Sequence, residues 1–165
     1  RSLPWRSSES LLNITINGMP VKVKDGATIL QAAKKLGIKI PTRCYLELDC
    51  FHFEHRKGSC RICVVEVEGR RNLAPACCTP VMDKMVIHTH SPRAVNARRT
   101  VLDLILSDHP KDCLTCAKSG NCELQKLAAD FKLTSVKYEG EQSTYPFDKA
   151  NESIVRDLKI GRAHV

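Results

Sequence analysis

Leu12, Ile14 and Ile16 alternate with Asn13, Thr15 and Asn17, and after Gly18 the alternation resumes with Val21 and Val23 against Lys22 and Lys24. A period of two on both sides of Asn17-Gly18, residues suited to a left-handed turn, predicts a β-hairpin with one buried face. Asp25-Gly26 closes the second strand. The period then changes. Ile29, Ala32, Ala33 and Leu36 recur at helical spacing, Thr28 and Gln31 form a capping-box pair ahead of them, and Gly37 stands where a C′ glycine ends helices. A hairpin followed by a packed helix is the opening of a β-grasp domain. Its sheet is expected to be completed by Val64–Glu68 and Met85–Thr89, with a shorter segment near Leu73–Ala76.

Helical periods dominate the second half. Ser91-Pro92 supplies an N-cap and an N1 proline to a helix with Val95, Val101, Leu102 and Ile105 on its inner face. That helix must stop before Pro110, which leaves His109 at its C-terminal edge. Asn121 is expected to cap a third helix carrying Leu124, Leu127, Ala128 and Phe131, with Cys122 in its first turn, where the helix start favours a thiolate. The fold class is therefore α+β: a β-grasp domain at 11–90 and a small helical domain at 91–133. A leader at 1–10 precedes them, and a polar, aperiodic linker at 134–158 follows.

Composition narrows what such domains can do. The chain has 165 residues, of which 5% are aromatic, so small cores without large rings have to hold it. Nine cysteines, an odd number, with no signal-peptide pattern argue against a disulfide framework and for a reducing compartment. Metal coordination would supply stability that cores of this size lack, and the chain is expected to unfold when metal is lost. No run of about 18 apolar residues is present, so no transmembrane segment is expected. The net charge of +8 raises nucleic acid as a partner, but the basic residues are scattered without an aromatic-studded stripe, and nucleic acid is not expected.

The cysteines fall into two sets. The first is Cys44-x15-Cys60-x2-Cys63-x13-Cys77, a lone thiol, a close pair and a distant thiol, lying partly on a long loop of the kind that is functional when it occurs. The order of gaps agrees with plant-type 2Fe-2S sites, although the first gap is longer. A four-thiolate zinc site is the alternative, and zinc usually takes two close pairs where only one exists here. Cys50-Phe51-His52 suggests a Rieske arm but has no second arm to match. Cys50 and Cys78 are left over as ordinary thiols, with Cys50 able to replace Cys44 and Cys78 able to replace Cys77. The second set is His109-x3-Cys113-x2-Cys116-x5-Cys122. In isolation it could be a zinc knuckle; beside another cluster site it suits a 4Fe-4S cluster with one imidazole ligand. His52, His55, His88, His90 and His164 read as surface or packing histidines.

Four motifs carry a family resemblance. They are Ile40-Pro41-Thr42 ahead of Cys44-Tyr45; Cys60 and Cys63 ahead of Val65-Glu66-Val67; Pro75-Ala76-Cys77 with Thr79-Pro80; and His109-Pro110, Asp112-Cys113 and Cys116 leading to Cys122-Glu123-Leu124-Gln125. They resemble the N-terminal iron-sulfur region shared by FeFe hydrogenases, the 75 kDa subunit of respiratory complex I and some NAD-dependent formate dehydrogenases. The resemblance covers about residues 11–157. It implies a 2Fe-2S cluster on Cys44, Cys60, Cys63 and Cys77, and a 4Fe-4S cluster on His109, Cys113, Cys116 and Cys122.

Within that family, Leu106 to Cys116 and Asn121 to Gln125 look most like the hydrogenase branch, and Ser153 to Asp157 resembles the lead-in to a further ferredoxin-like domain. The implied function is an electron-transfer module of an FeFe hydrogenase, not catalytic by itself. It would link a redox partner, a ferredoxin or an NAD(P)H-oxidising flavoprotein subunit, to ferredoxin-like and H-cluster domains that lie beyond this sequence. The alternatives are a complex I or formate dehydrogenase subunit and, from another class, a structural zinc module. A cytoplasmic location is expected, or a hydrogenosome or mitochondrial matrix in a eukaryote. The last residues, Lys159 to Val165, can be encoded by AAG ATC GGA AGA GCA CAC GTC, which resembles a sequencing adapter, so 159–165 is expected to be an artefact at the end of a fragment.

Overall fold

In the computed structural model, which describes residues 11–45, 57–110 and 112–139, the hairpin forms from β1 (Leu11–Ile16) and β2 (Met19–Lys24). Ile16 pairs with Met19 across a two-residue turn in which Asn17 (φ 50°) and Gly18 (φ 81°) are both left-handed, the geometry that matches strand twist. The leader, residues 140–165 with the linker's greater part, and Cys50, His52, His55 and His164 lie outside the described residues.

Helix α1 (Ile29–Lys35) starts on the expected capping box. Gln31 N–H donates to Thr28 Oγ1 at 3.3 Å, and Thr28 N–H donates to Gln31 Oε1 at 3.0 Å. It ends at Gly37 (φ 70°), with Gly37 N–H on the Lys34 carbonyl (3.1 Å) and Ile38 N–H on the Ala33 carbonyl (3.0 Å), which satisfies carbonyls the helix leaves open.

Three short strands complete the sheet: β3 (Val64–Val67), β4 (Ala74–Pro75) and β5 (Val86–His88). Their order is β2-β1-β5-β3-β4, mixed because β1 runs parallel to β5 while the other neighbours are antiparallel. The central parallel pair is fixed by Thr15 N–H on the Met85 carbonyl and Asn17 N–H on the Ile87 carbonyl, both 2.9 Å. Asn17 also clasps Thr89, accepting its N–H at 2.8 Å and donating Nδ2–H to its hydroxyl at 2.7 Å. Ile14, Ile16, Val23, Ile29, Val65 and Ile87 form the heart of the core, which the Cys63 and Cys77 side chains also enter.

The chain divides into two units between Arg98 and Arg99, within α2 (Pro92–Ser107). Ser91 caps α2, with Ala94 N–H on its hydroxyl at 3.2 Å. The buried face of this helix differs from the expected one. Ala94, Arg98 and Leu102, spaced by four, are buried together with Asp103, while Val95, Val101 and Ile105 are only partly covered. The polar members are accommodated by hydrogen bonds: Arg98 to the Val64 carbonyl, and Asp103 to the Lys137 N–H at 3.0 Å. Helix α3 (Glu123–Asp130) follows and buries Leu124, with Leu127, Ala128 and Phe131 partly covered. Lys132 (φ 53°) takes the left-handed position after it, and Leu133 N–H reaches the Ala128 carbonyl at 2.9 Å.

Candidate metal centres

Sheet register brings two thiols together. Val64 pairs with Pro75 and Val65 with Ala74, so the residue before β3 and the segment after β4 emerge at one end of the sheet. Those positions carry Cys63 and Cys77. Ala76 N–H donates to the Cys63 carbonyl at 3.2 Å, and the first amides of α1 hold the other side, Leu30 N–H on the Ala76 carbonyl (2.9 Å) and Ile29 N–H on the Thr79 carbonyl (3.0 Å). Amides that a helix start leaves open thus fix the Cys77 segment. Both sulfurs are buried and hydrogen-bonded to each other.

The loop from Gly58 to Cys63 builds the second pair. Gly58 (φ 88°) and Arg61 (φ 59°) are left-handed, which turns successive amides inward. The N–H groups of Cys60, Gly58 and Ser59 point at the Cys44 sulfur, and that of Ile62 at Cys60. Burial pushes the Cys44 thiol up, but these amides and the Cys60 side chain outweigh it and hold the thiol below its ordinary range. Burial pushes Cys60 up, aided by neighbouring Cys44, and pushes Cys77 up further, aided by Cys63 and then more weakly by Cys78 and Cys44. The four thiols therefore gather as two adjoining pairs, Cys44 with Cys60 and Cys63 with Cys77. Among the described residues, no three His, Cys, Asp or Glu side chains converge on one ion's position. A cluster with two metal atoms, each taking two thiolates, would suit such paired donors, with inward amides at the Cys44–Cys60 pair.

Fifteen residues separate Cys44 from Cys60 in sequence, and Lys57 Nζ lies 5.3 Å from the Tyr45 ring centroid. Cys78 stands apart. It is exposed, bonds the Pro75 carbonyl at 3.8 Å and packs on Gly58, where a Cβ would come within 2.9 Å of its sulfur. Gly58 is thus favoured by its φ, and a side chain there would displace the Cys78 sulfur. All eight described cysteines are thiols rather than disulfides.

Downstream, α2 ends at Ser107, and His109 N–H bonds the Leu106 carbonyl at 3.2 Å. A run of turns follows. Cys116 N–H reaches the Cys113 carbonyl (3.4 Å), Ser119 N–H the Cys116 carbonyl (2.9 Å) and Asn121 N–H the Lys118 carbonyl (3.0 Å). Residues 112–121 are exposed throughout, Leu114 at 98%, whereas His109 and Cys122 are half-buried.

The start of α3 corrects one expectation. Cys122 (φ −95°, ψ 121°) is itself the N-cap, with no side-chain capping bond, and Asn121 precedes it. The Asn121 side chain instead accepts from Lys126 Nζ at 3.3 Å, while Gln125 Oε1 takes the Gly120 N–H at 3.3 Å. The Cys122 sulfur still lies at the positive end of α3. One imidazole and three thiols within fourteen residues form a donor set that suits a cubane cluster.

His88 and His90 are engaged locally, with Glu68 Oε1 (2.8 Å) and the Thr89 hydroxyl (2.7 Å). An open groove of about 280 Å³ lined by Leu106, Leu133, Thr134, Ser135 and Val136 contains no ligand candidate. Sequence patterning missed the amides of residues 58–60, for which Gly58 was the available signal. It also missed Arg98, for which there was none.

A 2Fe-2S iron-sulfur cluster binding domain matches residues 9–92. The chain belongs to that family. Residues 98–137 match the NADH-ubiquinone oxidoreductase-G iron-sulfur binding region, so the 2Fe-2S domain is followed by a 4Fe-4S region on the same chain. The protein is an iron-sulfur electron-transfer module with one cluster of each kind. It is 56% identical over 149 residues to the NADP-reducing hydrogenase subunit HndD of Solidesulfovibrio fructosivorans, covering 90% of this chain and 26% of that protein. It is 44% identical over 117 residues to the NADH-ubiquinone oxidoreductase 75 kDa subunit of Reclinomonas americana, covering 71% of this chain and 16% of that one. The chain thus spans about a quarter or less of the length of these relatives. The crystal structure of an NAD+-reducing [NiFe]-hydrogenase in the H2-reduced state superposes with a TM-score of 0.71 at 29% identity, over 84% of this chain and 56% of that one. Among the described residues, no helix is long and apolar enough to cross a membrane.

Proposed function

We propose that Cys44, Cys60, Cys63 and Cys77 ligate the 2Fe-2S cluster, on a β-grasp domain at 11–90. His109, Cys113, Cys116 and Cys122 ligate the 4Fe-4S cluster, in a helical domain at 91–133. The observation that carries the first assignment is the pairing of Cys44 with Cys60 and of Cys63 with Cys77, with backbone amides aimed at the Cys44 and Cys60 sulfurs. The β2-β1-β5-β3-β4 order, with its parallel centre, supports the β-grasp reading. For the second, the support is the donor set itself and the position of Cys122 at a helix start.

When bound, the clusters supply one-electron redox chemistry. The chain's own part is to bury the upstream thiols, aim amides at their sulfurs and hold the ligand spacing, which together set potential and transfer rate. The module serves a hydrogenase of the FeFe class, passing electrons between a ferredoxin or NAD(P)H-oxidising flavoprotein and an H-cluster domain encoded further along the gene, in the cytoplasm. Identity of 56% to a hydrogenase subunit, against 44% to a complex I subunit, favours this branch.

Anaerobic reconstitution with iron and sulfide, followed by reduction and EPR, tests the ligand sets. Two separable signals are expected, and a colourless zinc-loaded protein would end the iron assignment. Sequencing the locus beyond Asp157 tests the branch: H-cluster motifs are expected, and a molybdopterin-type domain would replace the hydrogenase reading with the dehydrogenase one.

A further inference from the structure

Arg98 is the one buried cation among the described residues, 2% exposed on the inner face of α2. Burying a guanidinium without a counter-charge is among the costliest arrangements a fold can hold. Its Nε–H donates to the Val64 carbonyl at 2.9 Å, at the residue after Cys63, yet Nη2 is buried with no hydrogen-bond partner. No described carboxylate pairs with it. Glu66, which lies two positions further along β3, is 3.8 Å from Arg93 instead. Burial weakens the guanidinium's hold on its proton, and the Cys63 sulfur is the one group that strengthens it. The side chain is therefore anchored at one nitrogen, orphaned at another and electrically coupled to a residue of the thiol set.

We infer that Arg98 is the built-in counter-charge of the 2Fe-2S cluster and raises its reduction potential. This rests on the ligand assignment proposed above. With four thiolates, an oxidised 2Fe-2S cluster carries about −2 and the one-electron reduced form about −3. A fixed neighbouring cation stabilises the more negative form more, so it favours taking up the electron. The same attraction offsets the cost of burying Arg98. The residue touches neither iron nor substrate; it is a positioning residue for charge, acting through Cys63.

The test is a redox titration of the reconstituted full chain, followed by EPR, with dithionite as electron donor. The variants are Arg98→Gln, which keeps hydrogen-bonding capacity without charge, and Arg98→Lys, which keeps charge without the fork. The Gln variant should lower the reduced-to-oxidised ratio of the 2Fe-2S cluster about tenfold at fixed ambient potential. The Lys variant should stay within about threefold of the parent, and the 4Fe-4S signal should titrate unchanged in both. An unmoved ratio in the Gln variant, an equal fall in the Lys variant, or a parallel shift of both clusters overturns the inference. If only the Gln variant fails to assemble a cluster, the Lys titration decides by the same threefold criterion. If neither assembles one, Arg98 is a folding residue and the inference fails. Absence of a 2Fe-2S signal in the unsubstituted chain would overturn the ligand assignment instead.

Discussion

Between Gly58 and Cys63 the backbone turns its amides inward onto sulfur, and the thiols it serves lie in or beside an apolar core. Between Asp112 and Asn121 the backbone folds back on itself in successive turns, apart from the Gly120 N–H on Gln125 Oε1, and its side chains face water. The two candidate ligand sets are therefore prepared to different degrees. Upstream, Cys63 and Cys77 are held by strand register, helix amides and packing, constraints that do not involve metal. Downstream, the two helices flanking the loop are formed, while the loop's own thiols have no packing to fix them, so on the proposed assignment ligation would supply that order.

Cysteine replacement should give the largest separation. Cys63→Ala is expected to abolish the 2Fe-2S EPR signal and remove a core side chain, whereas Cys116→Ala should abolish only the 4Fe-4S signal. Loss of both signals from Cys116→Ala would show that the sites do not assemble independently. Metal removal comes next. In iron-free protein, amides of Ile16 and Ile87 should exchange with solvent about a thousandfold or more slowly than those of 112–121, as mass spectrometry would show. Uniform exchange would mean that the upstream core needs its cluster, which is what composition alone suggests.

Smaller effects sharpen the same contrast. Ile87→Ala should cost about 2–5 kcal/mol in urea denaturation, because a fully buried side chain leaves a cavity. Thr28→Ala should cost about 1 kcal/mol through loss of the capping box on the helix that anchors Cys77. Leu114→Ala, at the exposed tip of the second loop, should stay within about 0.5 kcal/mol. A larger loss there would show that the loop packs on something.

What the sequence made legible follows the range of the interactions. The hairpin, the capping box and the Gly37 stop are settled within a few residues, and each stands where periodicity and turn chemistry put it. The β1–β5 pairing joins residues about seventy positions apart, so the strands could be anticipated while their registers could not. On α2, hydrophobicity favoured Val95, Val101 and Ile105, and the structure buries Ala94 and Arg98 instead. A charged residue looks solvated until its partner, here a carbonyl 34 positions away, is known. The cap of α3 went to Cys122 rather than Asn121 because Gln125 and Lys126 engage the residues ahead of it. The two cluster-binding regions were legible because cluster chemistry restricts both residue type and spacing. The amides around Cys44 depend on a backbone path that a one-letter string does not encode.

The clasp of Asn17 on Thr89 has a consequence for synthesis. β1 leaves the ribosome early, but the strand it must lie beside, and the threonine that locks its turn, arrive last in the domain. Cys44, Cys60, Cys63 and Cys77 have all been made by then. Every nascent chain therefore passes through an interval in which the four upstream thiols are present on an unfinished sheet, and the emergence of Val86 to Thr89 ends that interval.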